Sequence, residues 1–537
     1  MIERIVIRGY RVFKELDLKL NSKMNIIVGR NESGKSTLLE AINMALTGRI
    51  HGQWLADQLN PYWFNQETTR SYLLGRRNGR QMSAPEIVID VYLASDDPDI
   101  QRLRGINNWD QTDSPGLRVA VTLDPDYVDE FEEYVADVDT PLLLPTEFFK
   151  VEWKSFQGSA LGRRPRKLGV AQIDSRTLHS TSGVDYHTRK LLVDHIEDRE
   201  SARLSAALRK ARHNITETHL SAANDRIKAE AYSPDAEIGL QIDQAAGSGW
   251  QGSVVPQVGD IPFAMSGQGQ QSASKVALAM SRTADSTSVV LVEEPENHLA
   301  HTRLMHLMGR LEDLAAGRQM IVTTHSSYVL NRLGLGDLIL LSEGGATRIT
   351  DVSNDTVRYF KKLSGYDTLR VVLADKLALV EGPADEMVLA RAYEDASGRL
   401  PHEDKIDIVS LRGTAFKRSL ELSHALGRQV IFLRDNDKKA IEDWNAHYGE
   451  LLDGKRRMYV GDPTLGKTLE PQVVAANAQQ LEVLRAALCL GENDDPEEWI
   501  LKDSNKTEAA LRILESSVKI AFPPYINEAV EDLQGDW

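Results

Sequence analysis

At 537 residues, with 42% hydrophobic and 26% charged side chains, the chain has the composition of an ordinary globular protein of about two or three domains. Its net charge of -16 excludes a uniformly basic nucleic-acid coat, leaving local clusters such as Arg76-Arg77, Arg163-Arg164-Pro165-Arg166-Lys167 and Lys455-Arg456-Arg457 as candidates for phosphate contact. Cys489 is the single cysteine, which excludes intrachain disulfides and thiolate zinc sites and makes a reducing cytoplasm the expected setting.

Ile5-Val6-Ile7, the alternating Leu16, Leu18 and Leu20, and Asn25-Ile26-Ile27-Val28 predict three short strands. The third runs into Gly29-Arg30-Asn31-Glu32-Ser33-Gly34-Lys35-Ser36. Leu38, Leu39, Ala41, Ile42, Ala45 and Leu46 follow at helical spacing, and Gly48 is a helix stop. Strand, Gly-rich loop and helix in this order predict a phosphate-binding loop. Gly29 and Gly34 let the backbone curl around a β-phosphate, with Asn31, Ser33 and Thr37 completing the nucleotide-binding set. Lys35 would reach the β- and γ-phosphates, and Ser36 would place its hydroxyl on Mg²⁺.

Residues 50–175 are mixed, with a strand expected over Glu86–Leu93. From about 190 to 232 the chain is charged, rich in Ala and Leu, and free of Pro and Gly, which predicts one or two helices suited to self-association. Gly247 to Gly252 breaks that pattern, and a second α/β stretch runs from about 253 to 365. Within it, Ser266-Gly267-Gln268-Gly269-Gln270-Gln271 opens a helix over Ala273 to Met280, a weak anion site when taken alone. Val289-Val290-Leu291-Val292 then ends in Glu293-Glu294-Pro295-Glu296. Carboxylates at a strand's carboxyl end face bound phosphates, so Glu293 is expected to hold Mg²⁺ and Glu294 to orient or deprotonate the attacking water. Met320-Ile321-Val322-Thr323-Thr324 is another apolar strand, leading to His325 as a γ-phosphate sensor.

In this order the four elements resemble the ATP-binding-cassette ATPases of the RecF and SMC type. The opening Ile5 to Phe13 matches their first strands, and the resemblance covers about residues 1–50 and 250–335. It implies ATP sandwiched between the phosphate loop of one subunit and the Ser266-Gly267-Gln268 turn of another, hence a homodimer or higher homo-oligomer. Glu293 stands where that family usually has Asp, and the signature turn lacks its leading Leu.

A last α/β unit begins near Leu373. Leu377-Ala378-Leu379-Val380 predicts a strand ended by Glu381, with Asp385 one helical turn on. Val430-Ile431-Phe432-Leu433 predicts a second strand with Asp435 and Asp437 just beyond it. Carboxylates converging at sheet ends suit Mg²⁺ or Mn²⁺, and two such ions roughly 4 Å apart would activate water for an in-line displacement at phosphorus. Solvated acidic loops are the alternative for either cluster alone.

Together, with Leu411-Arg412-Gly413-Thr414 between them, the clusters resemble the Toprim domain of topoisomerases, primases and nucleases. A Toprim unit behind an SMC-like ATPase resembles the OLD (overcoming lysogenisation defect) nucleases, including the Gabija-type nuclease subunit. In that family Lys467-Thr468-Leu469-Glu470 corresponds to a later acidic motif, implying Glu470 as a further metal ligand. Asn505 to Leu511 and Phe522 to Ile526 resemble its C-terminal segment, implying Lys506 over the scissile phosphate.

The reading is an α/β chain: an ABC-type P-loop ATPase over 1–180 and 251–370, a helical dimerisation insert at 181–250, and a C-terminal Toprim domain at 371–537. It predicts an ATP-regulated, metal-dependent DNA endonuclease, with Glu381, Asp435, Asp437 and Lys506 as its catalytic residues. A DNA-repair ATPase whose Toprim-like domain binds metal or DNA without cutting is the alternative. A topoisomerase- or primase-like enzyme is the weakest reading, since zinc-ribbon cysteines and a separate tyrosine cleavage domain are missing from the sequence. Anti-phage defence, beside a helicase-like or other defence partner, follows from the resemblance alone. The N-terminus carries no signal-peptide pattern, and no apolar run approaches the roughly 20 residues of a membrane helix, so no membrane association is expected.

Overall fold

The computed structural model describes residues 1–137, 139–165, 167–174, 196–230, 238–243, 257–280, 288–297, 299–315, 317–342, 345–349, 352–362, 368–411 and 416–535. The chain divides into two compact units. The first takes Met1–Ile27, Glu32–Thr324 and Glu343–Gly345, and the second takes Val28–Asn31, His325–Ser342 and Ala346–Trp537. Residues Val28–Asn31, at the start of the Gly-rich loop, are grouped with the second unit.

The first unit carries an antiparallel sheet with Ile2–Tyr10 between Phe13–Lys19 and Ile87–Leu93, followed by Ser114–Leu123 and Phe149–Ser155. Its strands alternate where one face meets water, as in Phe13–Lys19, whose Leu16 and Leu18 are buried between exposed neighbours. Ile87–Leu93 is buried throughout, and its one charge, Asp90, pairs across the ladder with Arg118 at 2.6 and 2.7 Å.

Beside it lies a parallel sheet in which Met24–Gly29, Gln319–Thr323, Val289–Glu293 and Val170–Asp174 are neighbours in that order. All three central strands are buried along their length, which is why they read as unbroken apolar runs. Buried Gln319 stitches the unit together, accepting from the Ile2 amide and donating to the Ile2 and Asn21 carbonyls, each at 2.7 Å. Of the helical insert, Asp198–His219 and Ser221–Glu230 are helices. Residues 181–195, 231–237 and 244–250 of its expected span lie outside the described residues.

In the second unit, Ile406–Ser410, Lys376–Val380, Val430–Arg434 and Arg456–Val460 form a parallel four-stranded sheet in that order. Helix Pro383–Ser397 packs on the helices Lys506–Glu515 and Pro524–Gln534, burying Val388, Leu389, Ile513, Ile526 and Leu533. Arg391, 6% exposed, donates to the Ile513 carbonyl at 3.2 Å, the Leu514 carbonyl at 3.3 Å and the Ser516 carbonyl. A cation on the bare carbonyls of a helix C-terminus is favourable, and it fixes the helix that begins at Lys506. No helix among the described residues is long and apolar enough to cross a membrane.

Candidate functional site

The residues expected to bind nucleotide lie at the carboxyl ends of the parallel strands. Gly34 caps helix Lys35–Thr47 in a left-handed conformation (φ 97°), and a Cβ there would lie 2.5 Å from Phe13 Cζ and 2.8 Å from Val12 Cγ2. Only glycine fits that turn. Lys35 is 6% exposed, and burial lowers its pKa while Glu294, Glu293 and Glu296 act in the opposite sense. Ser36 Oγ donates to Glu293, which is 2% exposed, so the hydroxyl and carboxylate expected on one Mg²⁺ are in contact. The Glu294 backbone sits at positive φ (43°), its amide donates to the Thr323 carbonyl at 3.0 Å, and its carboxylate accepts from Asn297 Nδ2 at 2.7 Å. Thr324 Oγ1 donates to Glu296 at 2.8 Å.

Of the remaining nucleotide residues, Gly29 and Thr37 are buried, Asn31 is exposed, and Ser33 is half-buried with its hydroxyl unpartnered among the described residues. An orphaned hydroxyl in a phosphate loop fits an anion that supplies its acceptor. At the signature turn, Ser266 Oγ donates to the Phe263 carbonyl at 2.8 Å, and the Gly267 carbonyl accepts from Gln270 and Gln271 as helix Gln268–Met280 begins. His325 is exposed, two residues past the end of Gln319–Thr323.

The acidic half lies at the carboxyl ends of Lys376–Val380 and Val430–Arg434. Glu381 follows strand Lys376–Val380 directly, and Asp385 lies in the first turn of the helix that starts at Pro383 with Gly382 as its cap. Proline takes the first helical position readily, and Asp385 turns back to accept from the Gly382 amide at 2.9 Å. Glu381 accepts from the Asp435 amide at 3.3 Å, which ties the two strand ends. Glu470 is buried, accepting from Thr468 Oγ1 at 2.7 Å and facing Lys506 Nζ at 3.8 Å. Asp437, at positive φ (49°) and largely exposed, is drawn to Arg434 at 3.0 Å. Arg434 in turn lies 3.5 Å from the Trp444 ring centroid and donates to Tyr448 Oη at 2.8 Å.

Burial, then the charges of Asp385, Glu381, Glu470 and Asp437, push the Asp435 carboxyl up to about 8. Burial, with Glu381 and Glu470, pushes Asp385 up to about 7, and burial also raises Glu381. Lys506 is raised chiefly by its hydrogen bond to Asp503, with Glu470 and Asp435 acting in the same sense. Among the described residues, however, no three His, Cys, Asp or Glu side chains stand as a ready metal cage. The carboxylates are near enough to repel one another without converging on a common point. Their all-oxygen donor set fits a hard divalent cation.

Residues 4–72 and 258–331 match sequence models of AAA domains, and residues 372–437 match the Toprim domain of overcoming lysogenization defect protein-like sequences. The chain thus joins segments that match AAA-domain models to a segment that matches an OLD-like Toprim model. Its curated relatives include the DNA replication and repair protein RecF of Acetivibrio thermocellus, 36% identical over 50 residues (9% of this chain, 14% of that protein). RecF of Magnetococcus marinus is 37% identical over 67 residues (12% and 18%). The chain thus spans under a fifth of the length of either relative. An SMC head bound to the C-terminal winged-helix domain of ScpA overlays with a TM-score of 0.32 at 14% identity, covering 66% of this chain and 98% of that one. The C-terminal region of the Xanthomonas campestris pv. campestris OLD protein overlays at 0.22 and 20% identity, covering 30% and 94%.

Sequence reasoning missed several groups in the Toprim domain. Ser410 pairs in register with Val380, beside Glu381, and its hydroxyl is buried and unpartnered among the described residues. Tyr525 is buried, and its phenol is raised well above its ordinary pKa by burial and by Asp385, Asp435 and Glu470. Its aromatic-proline setting was legible, but its proximity to carboxylates 90 and 140 positions away was not. Residues 412–414, part of the motif expected between the clusters, lie outside the described residues.

Proposed function

We propose that this protein is a divalent-metal-dependent DNA endonuclease whose cutting is controlled by ATP bound at its AAA-type domain. The observation that carries the reading is the crowding of the Toprim carboxylates at the strand ends, where burial and neighbouring carboxylates push Asp435 up to about 8 and Asp385 up to about 7, in a chain that also carries a Gly-rich loop at a helix start. Such a cluster gains most from a cation that replaces its protons.

Glu381, Asp385, Asp435 and Glu470 would hold Mg²⁺ or Mn²⁺, two ions in the family's pattern, with Asp437 reaching the site only on release from Arg434. Bound there, the metal supplies an activated water and neutralises the leaving oxygen. Lys506, fixed by the Arg391 clamp at its helix's far end, offsets charge growing on the scissile phosphate. In the other domain Lys35 binds the triphosphate, Ser36 and Glu293 hold its Mg²⁺, and Glu294, steadied by Asn297, orients water. The Ser266 turn completes a second copy's site, so the working form is a homodimer or larger. Anti-phage defence beside a helicase-like partner is the biological role the OLD resemblance suggests.

A non-cutting repair ATPase is the second reading, favoured by the RecF matches and by the absence of a ready metal cage among the described residues. Supercoiled plasmid incubated with the protein and Mn²⁺ separates the two. Cleavage is expected, lost in Glu381→Ala and Asp435→Ala by at least about a hundredfold while nucleotide affinity stays near wild type. Intact plasmid under every metal tried would favour the repair ATPase.

A further inference from the structure

The phosphate loop contributes a side chain that no step above uses. Arg30, next to Gly29, pairs with Asp375 at 2.6 Å and donates to the Leu373 carbonyl at 3.2 Å. All three residues belong to the C-terminal unit. Leu373 ends helix Thr368–Leu373, and Asp375 immediately precedes strand Lys376–Val380, at whose far end Glu381 stands. The guanidinium thus spans a helix terminus and the carboxylate that starts the central Toprim strand.

A second arginine waits beside the same carboxylate. Arg428 donates Nη2 to the Val372 carbonyl at 2.9 Å, and it feels the charges of both Asp375 and Arg30. Its Nε is buried without a partner among the described residues. Arg428 lies two residues before strand Val430–Arg434, at whose far end Asp435 stands, and its carbonyl accepts from Arg456 Nη1 at 3.2 Å where the next strand begins. One carboxylate, two arginines and one unsatisfied donor describe a contact with two arrangements.

We propose that Asp375 is a positioning residue that exchanges partners with nucleotide, pairing with Arg30 when the phosphate loop is empty and with Arg428 when it is filled. The proposal rests on the ATP-controlled reading above. A triphosphate makes the loop backbone turn its N–H groups inward, which moves Arg30 relative to the strand. Released, Asp375 satisfies Arg428 Nε and ties the start of Lys376–Val380 to the start of Val430–Arg434. Those strands are rigid five-residue ladders, so a shift at their starts reaches Glu381 and Asp435. Nucleotide thereby sets the spacing of the metal carboxylates without touching them.

Hydrogen–deuterium exchange on the full-length protein, with and without Mg²⁺ and a non-hydrolysable ATP analogue, tests this. In wild type, amides of 375–380 and 428–431 should change exchange rate by about two- to fivefold on nucleotide addition, the range expected for a partly exposed ion pair. Asp375→Asn should abolish that response, and Asp375→Glu should keep it. Binding of a fluorescent ATP analogue is measured on the same proteins. Wild type that binds nucleotide without any change in these segments overturns the exchange of partners alone. Wild type that binds no nucleotide overturns the ATP-controlled reading together with it. An Asp375→Asn protein that binds nucleotide and responds like wild type overturns the assignment to Asp375.

Discussion

Replacing Asp435 with asparagine should stabilise the metal-free protein above neutral pH, and by about half as much near pH 6. The carboxyl ordinarily titrates at 3.8; burial first, and then four neighbouring carboxylates, push it up to about 8. A carboxyl with a raised folded-state pKa holds its proton more tightly folded than unfolded. Its contribution to stability therefore falls as pH rises from 3.8, and the loss is complete above about 8. At ~1.4 kcal/mol per pH unit that window sets a ceiling of about 6 kcal/mol. Partial exposure and relaxation of the cluster reduce the figure to about 2–3 kcal/mol. Each kcal/mol moves Tm by about 2–4 °C in a unit of this size, so Asp435→Asn should melt roughly 5–10 °C higher at pH 8.5 in EDTA. At pH 6 the folded carboxyl keeps its proton while the unfolded one has lost it, so about half of the difference, roughly 2–5 °C, should already be present. Differential scanning calorimetry at both pH values, repeated with Mn²⁺, reads the result. Mn²⁺ should raise wild type more at pH 8.5 than at pH 6, and raise the variant little at either. Equal melting at pH 8.5 without metal, or an equal gain at both pH values, would refute the reasoning.

Lys35→Ala should remove the ATP dependence of plasmid cutting without removing cutting, because Lys35 serves the triphosphate and not the Toprim carboxylates; cleavage rates across ATP concentrations check this, and a response matching wild type would contradict it. Gly34→Ala should weaken nucleotide binding by more than about tenfold, since its φ of 97° and the 2.5 Å approach to Phe13 leave no room for a methyl group; titration with a fluorescent ATP analogue measures it, and wild-type affinity would show that the loop re-forms.

The elements that carry chemistry were legible because each is announced locally. A buried parallel strand is an unbroken apolar run, and Asn25–Val28, Val289–Val292, Leu377–Val380 and Val430–Leu433 all fold as strands ending at the marked residues. The phosphate loop adds glycines at fixed places, one of which takes the expected left-handed turn. What could not be read is what depends on contacts distant in sequence. Nothing near Asp437 says that Arg434, braced by Trp444, draws its carboxylate outward, and nothing near Gln319 says that it binds both ends of Ile2. The Arg30–Asp375 pair joins positions 345 residues apart, so neither local charge pattern hints at it. Asp385 adds one more such detail, since nothing in its spacing from Glu381 says that its carboxylate turns back onto the Gly382 amide.

The two acidic sites follow one design rule and differ in how their charge is balanced. Each places carboxylates at the carboxyl ends of parallel strands, where a ligand meets oriented side chains. Around the phosphate loop, Glu293, Glu294 and Glu296 face Lys35, a buried cation on the adjoining helix, and Ser36 already donates to Glu293. That half has its counter-charge within the protein and can stay organised before nucleotide arrives. In the Toprim domain, Glu381, Asp385, Asp435 and Glu470 have Arg434, drawn toward Asp437, and Lys506, shared with Asp503, as the cations beside them among the described residues. The shortfall is met by protons, which explains why Asp435 and Asp385 are raised while the carboxylates fail to converge. A divalent cation can meet it instead, but only by drawing side chains inward against their present hydrogen bonds, such as that of Asp385 to the Gly382 amide. The phosphate-loop carboxylates are thus set up in advance, while the Toprim carboxylates have to be assembled. The proposed endonuclease would gain from that order, because a centre completed only on metal uptake would stay idle until then.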